Sequence, residues 1–157
     1  MNAVTVTPRD IAFVKSTWAK MVPITDQAAA LFYARLFELD PTLKLLFVQN
    51  MEEQGRKLMG MIGVAVNNLD RIDDIMPALQ ELGRRHQNYG VKPRDYDTVV
   101  AALLWALAQC LGDEFTSEVE MSWTSVYTLL ANTMKAATVS EYKSDDLARG
   151  AAYSGPL

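Results

Sequence analysis

Apolar residues recur along this chain at intervals of three and four positions, in stretches separated by proline, glycine and polar residues. This spacing matches the 3.6-residue period of an α-helix and places the apolar side chains of each stretch on one face. No Asn-Gly or Asp-Gly pair, the usual signal of a β-hairpin, joins alternating apolar runs. The pattern therefore predicts an all-α fold with about seven helices.

Polar caps and prolines predict where these helices begin and end. The expected starting points are Thr7-Pro8, Thr25-Asp26, Asp40-Pro41 for a short third element, and Thr116-Ser117 for the last helix. Further helices are predicted over residues 52–68, around His86, and after Pro93. The apolar period fades after Val139, so we interpret residues 1–143 as one domain and residues 144–157 as a polar, mobile tail.

Composition narrows the class of protein. Half of the 157 residues are hydrophobic and 22% are charged, which is typical of a soluble globular chain. The net charge of −4 argues against nucleic acid or an anionic membrane surface as the main partner. The N-terminus lacks the pattern of a signal peptide, and no apolar run approaches the ~18 residues of a spanning helix. The single cysteine, Cys110, cannot form an internal disulfide, so we expect a cytoplasmic protein with no membrane insertion.

His86 is the only histidine in the chain and lies on the apolar face of a predicted helix. Ile75, Leu79 and Leu82 precede it at the spacing of that face, and Gly90 predicts the end of the helix. Two interpretations are open from the residues alone: a core histidine bonded to ordinary partners, or a metal ligand. A single imidazole suits a haem better than zinc, because zinc needs several protein ligands whereas a haem needs only one on that face.

The predicted helix over residues 52–68 is unusual because it contains Gly55, Gly60 and Gly63. Each glycine lowers helix stability by about 1 kcal/mol relative to alanine. The helix could simply be weak, or the glycines could allow the backbone of another helix to approach closely. We favour close packing and expect Ala29 of the second helix to lie opposite Gly55.

Taken together, five features give the chain a resemblance to the globin family over roughly residues 7–138. They are Trp18, FYARLF in the second helix, Pro41 followed by Phe47, the segment from Gln54 to Leu58, and LGRRHQNYGV around His86. LGRRH and CLGDEFT, with the later Trp123 and Tyr127, are similar to neuroglobin sequences. FY and Gln54 are similar to single-domain bacterial haemoglobins and to the haem domains of flavohaemoglobins. The resemblance implies a globin fold packed around a pocket for haem b, iron protoporphyrin IX.

The resemblance also implies a role for individual residues. His86 would be the proximal iron ligand, and Phe47 would pack flat against the porphyrin. Tyr33 and Gln54 would face the iron from the opposite, distal side, where both can donate hydrogen bonds to a gas ligand. The remaining implied haem contacts are Leu58, Leu82, Val91 and Tyr96, with Lys57 and Arg85 pairing with the propionates.

Two departures from the patterns of related sequences bear on function. Gln54 stands where most animal globins carry a distal histidine. Alignment on Trp123 places Thr138 where flavohaemoglobins carry a glutamate that hydrogen-bonds the proximal histidine. Without that carboxylate the imidazole should donate less electron density to the iron, which argues against peroxidase-like chemistry.

The function implied by the resemblance is binding of dioxygen, carbon monoxide or nitric oxide, for storage, delivery or sensing. An alternative is an enzyme, a nitric oxide dioxygenase that converts nitric oxide and dioxygen to nitrate. The chain contains no GxGxxG motif or other nucleotide-binding region, so such an enzyme would depend on a separate reductase. No catalytic residue is assigned.

Overall fold

The computed structural model describes residues 5–47 and 50–137, and over these ranges the chain is helical with no β-strand. The α-helices are α1 (Pro8–Met21), α2 (Thr25–Leu39), α3 (Met51–Asn67), α4 (Met76–Asn88), α5 (Pro93–Leu111) and α6 (Ser117–Ala136). Short 3-10 segments cover Val22–Ile24, Pro41–Leu46, Leu69–Asp74 and Gly112–Glu114. The all-α prediction is confirmed, and the seven expected elements correspond to the six α-helices and the 3-10 segment Pro41–Leu46.

Side-chain caps explain why several helices begin where they do. Thr7 Oγ1 accepts a hydrogen bond from the Asp10 N–H at 3.1 Å, and the Asp10 carboxylate accepts one from the Thr7 N–H at 3.0 Å. The amide oxygen of Asn50 accepts from the first N–H groups of α3, and Thr116 Oγ1 accepts from the Val119 N–H in α6. These bonds satisfy N–H groups that have no partner inside the helix, which makes each start favourable.

The main core lies where α1, α2, α5 and α6 pack together, with α2 lying against α5 and α1 against α6. Trp123 of α6 is completely buried, and its indole N–H donates to Thr17 Oγ1 of α1 at 2.8 Å. A smaller apolar cluster, formed by Leu82, Val91, Tyr96, Ala131 and Met134, lies where α4 packs on α6. This second cluster surrounds the helix that carries His86.

Glycines mark two close helix crossings. A Cβ atom added at Gly55 would lie 2.9 Å from the Ala29 Cβ, so the predicted pairing of these residues is confirmed. A Cβ added at Gly83 would lie 2.4 Å from the carbonyl oxygen of Met134, so α4 and α6 touch through their backbones. The expectation of close packing is wrong at Gly60, which faces solvent and would meet nothing within 4 Å.

Other expectations concern membrane insertion and the C-terminal tail. Within the described ranges, no helix is both long enough and apolar enough to cross a membrane. Thr138 and the predicted tail at residues 144–157 lie outside the described residues. The division of the chain at residue 143 therefore stays a prediction.

Candidate functional site

An apolar cavity of about 110 Å³ lies between α3, α4, α5 and α6. Five of the residues implicated by the sequence line it together: Leu58, Leu82, His86, Val91 and Tyr96. His86, Tyr96 and Tyr127 supply the polar side chains of its wall, and the rest is aliphatic. We call this space the histidine cavity.

His86 is held on the wall of this cavity by the end of α4. Its side chain is 3% exposed and continues the buried face that contains Leu79 and Leu82. Immediately after α4, Gly90 adopts a φ of +100°, and the Val91 N–H donates to the His86 carbonyl at 3.0 Å. Glycine accommodates this left-handed conformation without a Cβ clash, so the chain can turn directly into α5.

The α4–α5 turn also brings a second ring against the imidazole. Tyr96 lies one turn into α5, and its ring is stacked near His86 with centroids 6.1 Å apart and planes inclined by 19°. Behind α4, the contact of Gly83 with the Met134 backbone sets the distance to α6. The imidazole is therefore positioned by neighbours from two other helices.

Across the cavity, Leu58 of α3 is the apolar residue that the sequence places on the distal side. Gln54, one turn earlier on α3, is also buried. Neither Gln54 nor Phe47 is part of the cavity wall among the described residues. Lys57 and Arg85 are exposed on α3 and α4, outside the wall of the cavity.

Tyr33 lies in a group of aromatic side chains near the start of α3. Its ring meets the Phe47 ring edge-on at 5.4 Å, stacks on Phe37 at 6.0 Å and contacts Phe32 at 4.8 Å. Burial raises the pKa of the Tyr33 hydroxyl, because desolvation disfavours the phenolate. The hydroxyl therefore stays protonated, and among the described residues it has no hydrogen-bond partner.

Tyr33 borders a second space, separate from the histidine cavity in its lining. This α2–α3 cavity measures about 330 Å³ and is lined by Asp26, Ala29, Ala30, Tyr33 and Phe37 from α2 and by Met51, Glu52, Gly55 and Arg56 from α3. The crossing of the two helices brings Tyr33 beside the residue after Gln54, since a Cβ on Gly55 would lie 3.8 Å from Tyr33 Cε2. The two predicted distal donors thus lie at the same helix crossing.

The residues around the histidine cavity fit a haem better than a bare metal ion. The part of the chain that the structure describes contains no group of three or more His, Cys, Asp or Glu side chains that could hold a metal. A structural zinc ion needs about four such ligands. An apolar cavity with one buried imidazole on its wall matches the needs of a porphyrin, whose own nitrogens supply the other iron ligands.

Sequence reasoning missed the contribution of α6 to this cavity. The residues involved are Tyr127, Leu130, Ala131 and Met134. They recur at helical spacing, which was visible in the sequence, but that spacing does not say which neighbour the face meets. Burial raises the pKa of the Tyr127 hydroxyl, so this group also remains protonated within the wall.

Comparison with known proteins places the chain beside haem proteins. A family model described as Globin matches residues 30–134. A flavohemoprotein from Xylella fastidiosa is 32% identical over 131 residues, covering 82% of this chain and 33% of that protein. Neuroglobins from Tetraodon nigroviridis and Danio rerio are 29% and 28% identical, covering 80% and 87% of this chain and 88% and 96% of those proteins. The chain therefore spans about a third of the flavohemoproteins it matches and most of the neuroglobins.

Proposed function

This chain belongs to the globin family, and from that premise we propose that it holds haem b in the histidine cavity and binds diatomic gases there. Globins bind haem and, through it, small gases. When bound, the group supplies an iron atom that takes one protein ligand on one face and a gas on the other. The observation that carries the proposal is the buried His86 imidazole on the wall of an apolar cavity.

On the proximal side, the chain's task is to hold the imidazole in one orientation. Leu82 and Val91 exclude water around His86, and the stacked Tyr96 ring limits its rotation. A ligand held in this way loses little freedom on binding, which strengthens the contact. Lys57 and Arg85, both exposed, are proposed to pair with the propionates at the solvent edge, where such pairs contribute at most about 1 kcal/mol.

On the distal side, we assign Tyr33 and Gln54 as hydrogen-bond donors to the gas, with Phe47 against the porphyrin. Tyr33 is a neutral donor because burial raises its pKa, and its hydroxyl is without a partner among the described residues. A hydrogen bond to a partly charged oxygen contributes about 1.5–3 kcal/mol. Each donor would then slow dioxygen release roughly ten- to a few hundredfold, which suits sensing or reaction better than bulk delivery.

Replacement of His86 tests the assignment directly. The His86→Ala variant should lose stable haem retention, and added imidazole should partly restore it by filling the vacated position. The ferric, ferrous and carbon-monoxide absorption spectra of the purified protein report the result. Asn88→Ala, an exposed change on the same helix, is the matched control and should keep all three spectra. An unchanged ferrous spectrum in His86→Ala would refute the assignment.

Conversion of nitric oxide to nitrate is a second candidate, supported by the 32% identity to a flavohemoprotein. On this proposal the described residues supply only the haem-binding part, and the electrons come from a separate reductase. The test is nitric oxide consumption by the purified holoprotein with dioxygen, a flavin reductase and reduced nicotinamide. Turnover that disappears in Tyr33→Phe would support the enzyme, whereas gas binding without turnover would support the binding protein.

A further inference from the structure

The α2–α3 cavity runs from solvent to a buried floor. Its rim is formed by the exposed residues Asp26, Ala30, Glu52 and Arg56. Its floor is formed by the buried residues Ala29, Tyr33 and Gly55. The cavity is therefore a depression that leads inward between two helices.

The floor is open because the residues at the crossing are small. Gly55 and Ala29 approach so closely that a Cβ on Gly55 would be 2.9 Å from the Ala29 Cβ. The same missing side chain leaves space beside the Tyr33 ring, which that Cβ would approach to 3.8 Å. A larger residue at this crossing would both separate the helices and fill the end of the cavity.

Tyr33 forms the inner boundary of the cavity. Its side chain is 5% exposed, and its hydroxyl has no hydrogen-bond partner among the described residues. On its other side, the ring lies 5.4 Å from the Phe47 ring, which the proposed function places against the porphyrin. One aromatic side chain thus separates the floor of the cavity from the distal side of the haem.

We propose that the α2–α3 cavity is an access route by which small uncharged gases reach the distal side of the haem, with the Tyr33 ring as the inner barrier. The proposal rests on the proposed haem binding. The rim carries two carboxylates and one guanidinium, whereas the floor is apolar apart from the Tyr33 hydroxyl. A neutral diatomic gas can cross such a floor cheaply, but an anion must lose its hydration there. The route therefore favours uncharged ligands over anions.

Filling the rim tests this route. Ala30→Trp places an indole at the rim of the cavity, and Ala34→Trp places the same side chain on an exposed position of α2 outside it. After flash photolysis, carbon monoxide should rebind from solvent about threefold more slowly or worse in Ala30→Trp, with Ala34→Trp at the wild-type rate. The equilibrium affinity for carbon monoxide should not change, because a barrier slows binding and release equally. Azide association with the ferric protein at neutral pH should be unaffected.

A structural measurement that does not depend on haem accompanies the kinetics. Under xenon pressure, crystals of the wild type and of Ala34→Trp should hold xenon in the α2–α3 cavity, and those of Ala30→Trp should not. Ala30→Met provides a smaller obstruction if the tryptophan variant does not fold. Unchanged carbon monoxide association in a variant that excludes xenon would overturn the proposal, and equal slowing of azide would overturn its preference for uncharged ligands. Failure of the wild type to hold haem would instead refute the proposed function, and xenon binding would still report the cavity.

Discussion

Gly83→Ala would show whether the contact between α4 and α6 sets the position of His86. The new Cβ would lie 2.4 Å from the Met134 oxygen and 2.9 Å from its carbonyl carbon and Cα. All three are backbone atoms, so no side-chain rotation can relieve the contact. Ordinary van der Waals contact begins near 3.4 Å, so the helices must separate by about 1 Å. His86 lies less than one turn from Gly83 on the same helix and would move with it.

The expected loss of stability follows from two opposing effects. Overpacking at a site that cannot adjust costs about 1–3 kcal/mol. Alanine in place of a helical glycine recovers about 0.5–1 kcal/mol. We expect a net loss of about 1–2 kcal/mol, which for a chain of this size lowers Tm by roughly 2–8 °C.

Gly60→Ala is the matched control, because it makes the same chemical change in the interior of α3. A Cβ there meets nothing within 4 Å, so only the gain in helix propensity of about 0.5–1 kcal/mol remains. Urea unfolding should therefore show opposite signs for the two variants. Transfer of haem to excess apomyoglobin should be faster from Gly83→Ala and unchanged from Gly60→Ala. A Gly83→Ala protein as stable as the wild type, with unchanged haem release, would refute the reasoning.

Three further predictions concern the distal donor and the contacts of α1. Tyr33→Phe should raise the dioxygen release rate roughly ten- to a few hundredfold and change carbon monoxide release much less, as measured by stopped flow; equal effects on both gases would contradict the donor role. Trp123→Phe should lower the free energy of unfolding in urea by about 1–3 kcal/mol, because it removes the buried hydrogen bond to Thr17; no loss would show that the bond is neutral. The Thr7 backbone N–H is the main cause that lowers the pKa of Asp10, so the charged carboxylate stabilises the fold above its ordinary pKa near 4. This contribution is lost as the pH falls through the lowered value, and the urea midpoint of Asp10→Asn should depend less on pH in that acid range; parallel curves would exclude the effect.

The local character of the chain was predictable because it depends on residues close together in sequence. The period of three and four predicted the helices, and caps such as Thr7 and Thr116 marked where α1 and α6 begin. The buried face with Leu79, Leu82 and His86 was predictable for the same reason, since one helix turn repeats within four residues. A single imidazole on that face, together with neighbouring motifs, also indicated the family.

Only the tertiary structure decided which faces meet. Gly55 and Gly60 are alike in sequence, yet one lies against Ala29 and the other faces solvent. The contact of Gly83 with Met134 joins residues far apart in the chain, and helical periodicity defines an apolar face without naming its partner. In the same way, the structure places Tyr33 on the α2–α3 cavity and Leu58 on the histidine cavity. These positions depend on crossing angles and distances between helices, which are set by the packing of the whole core.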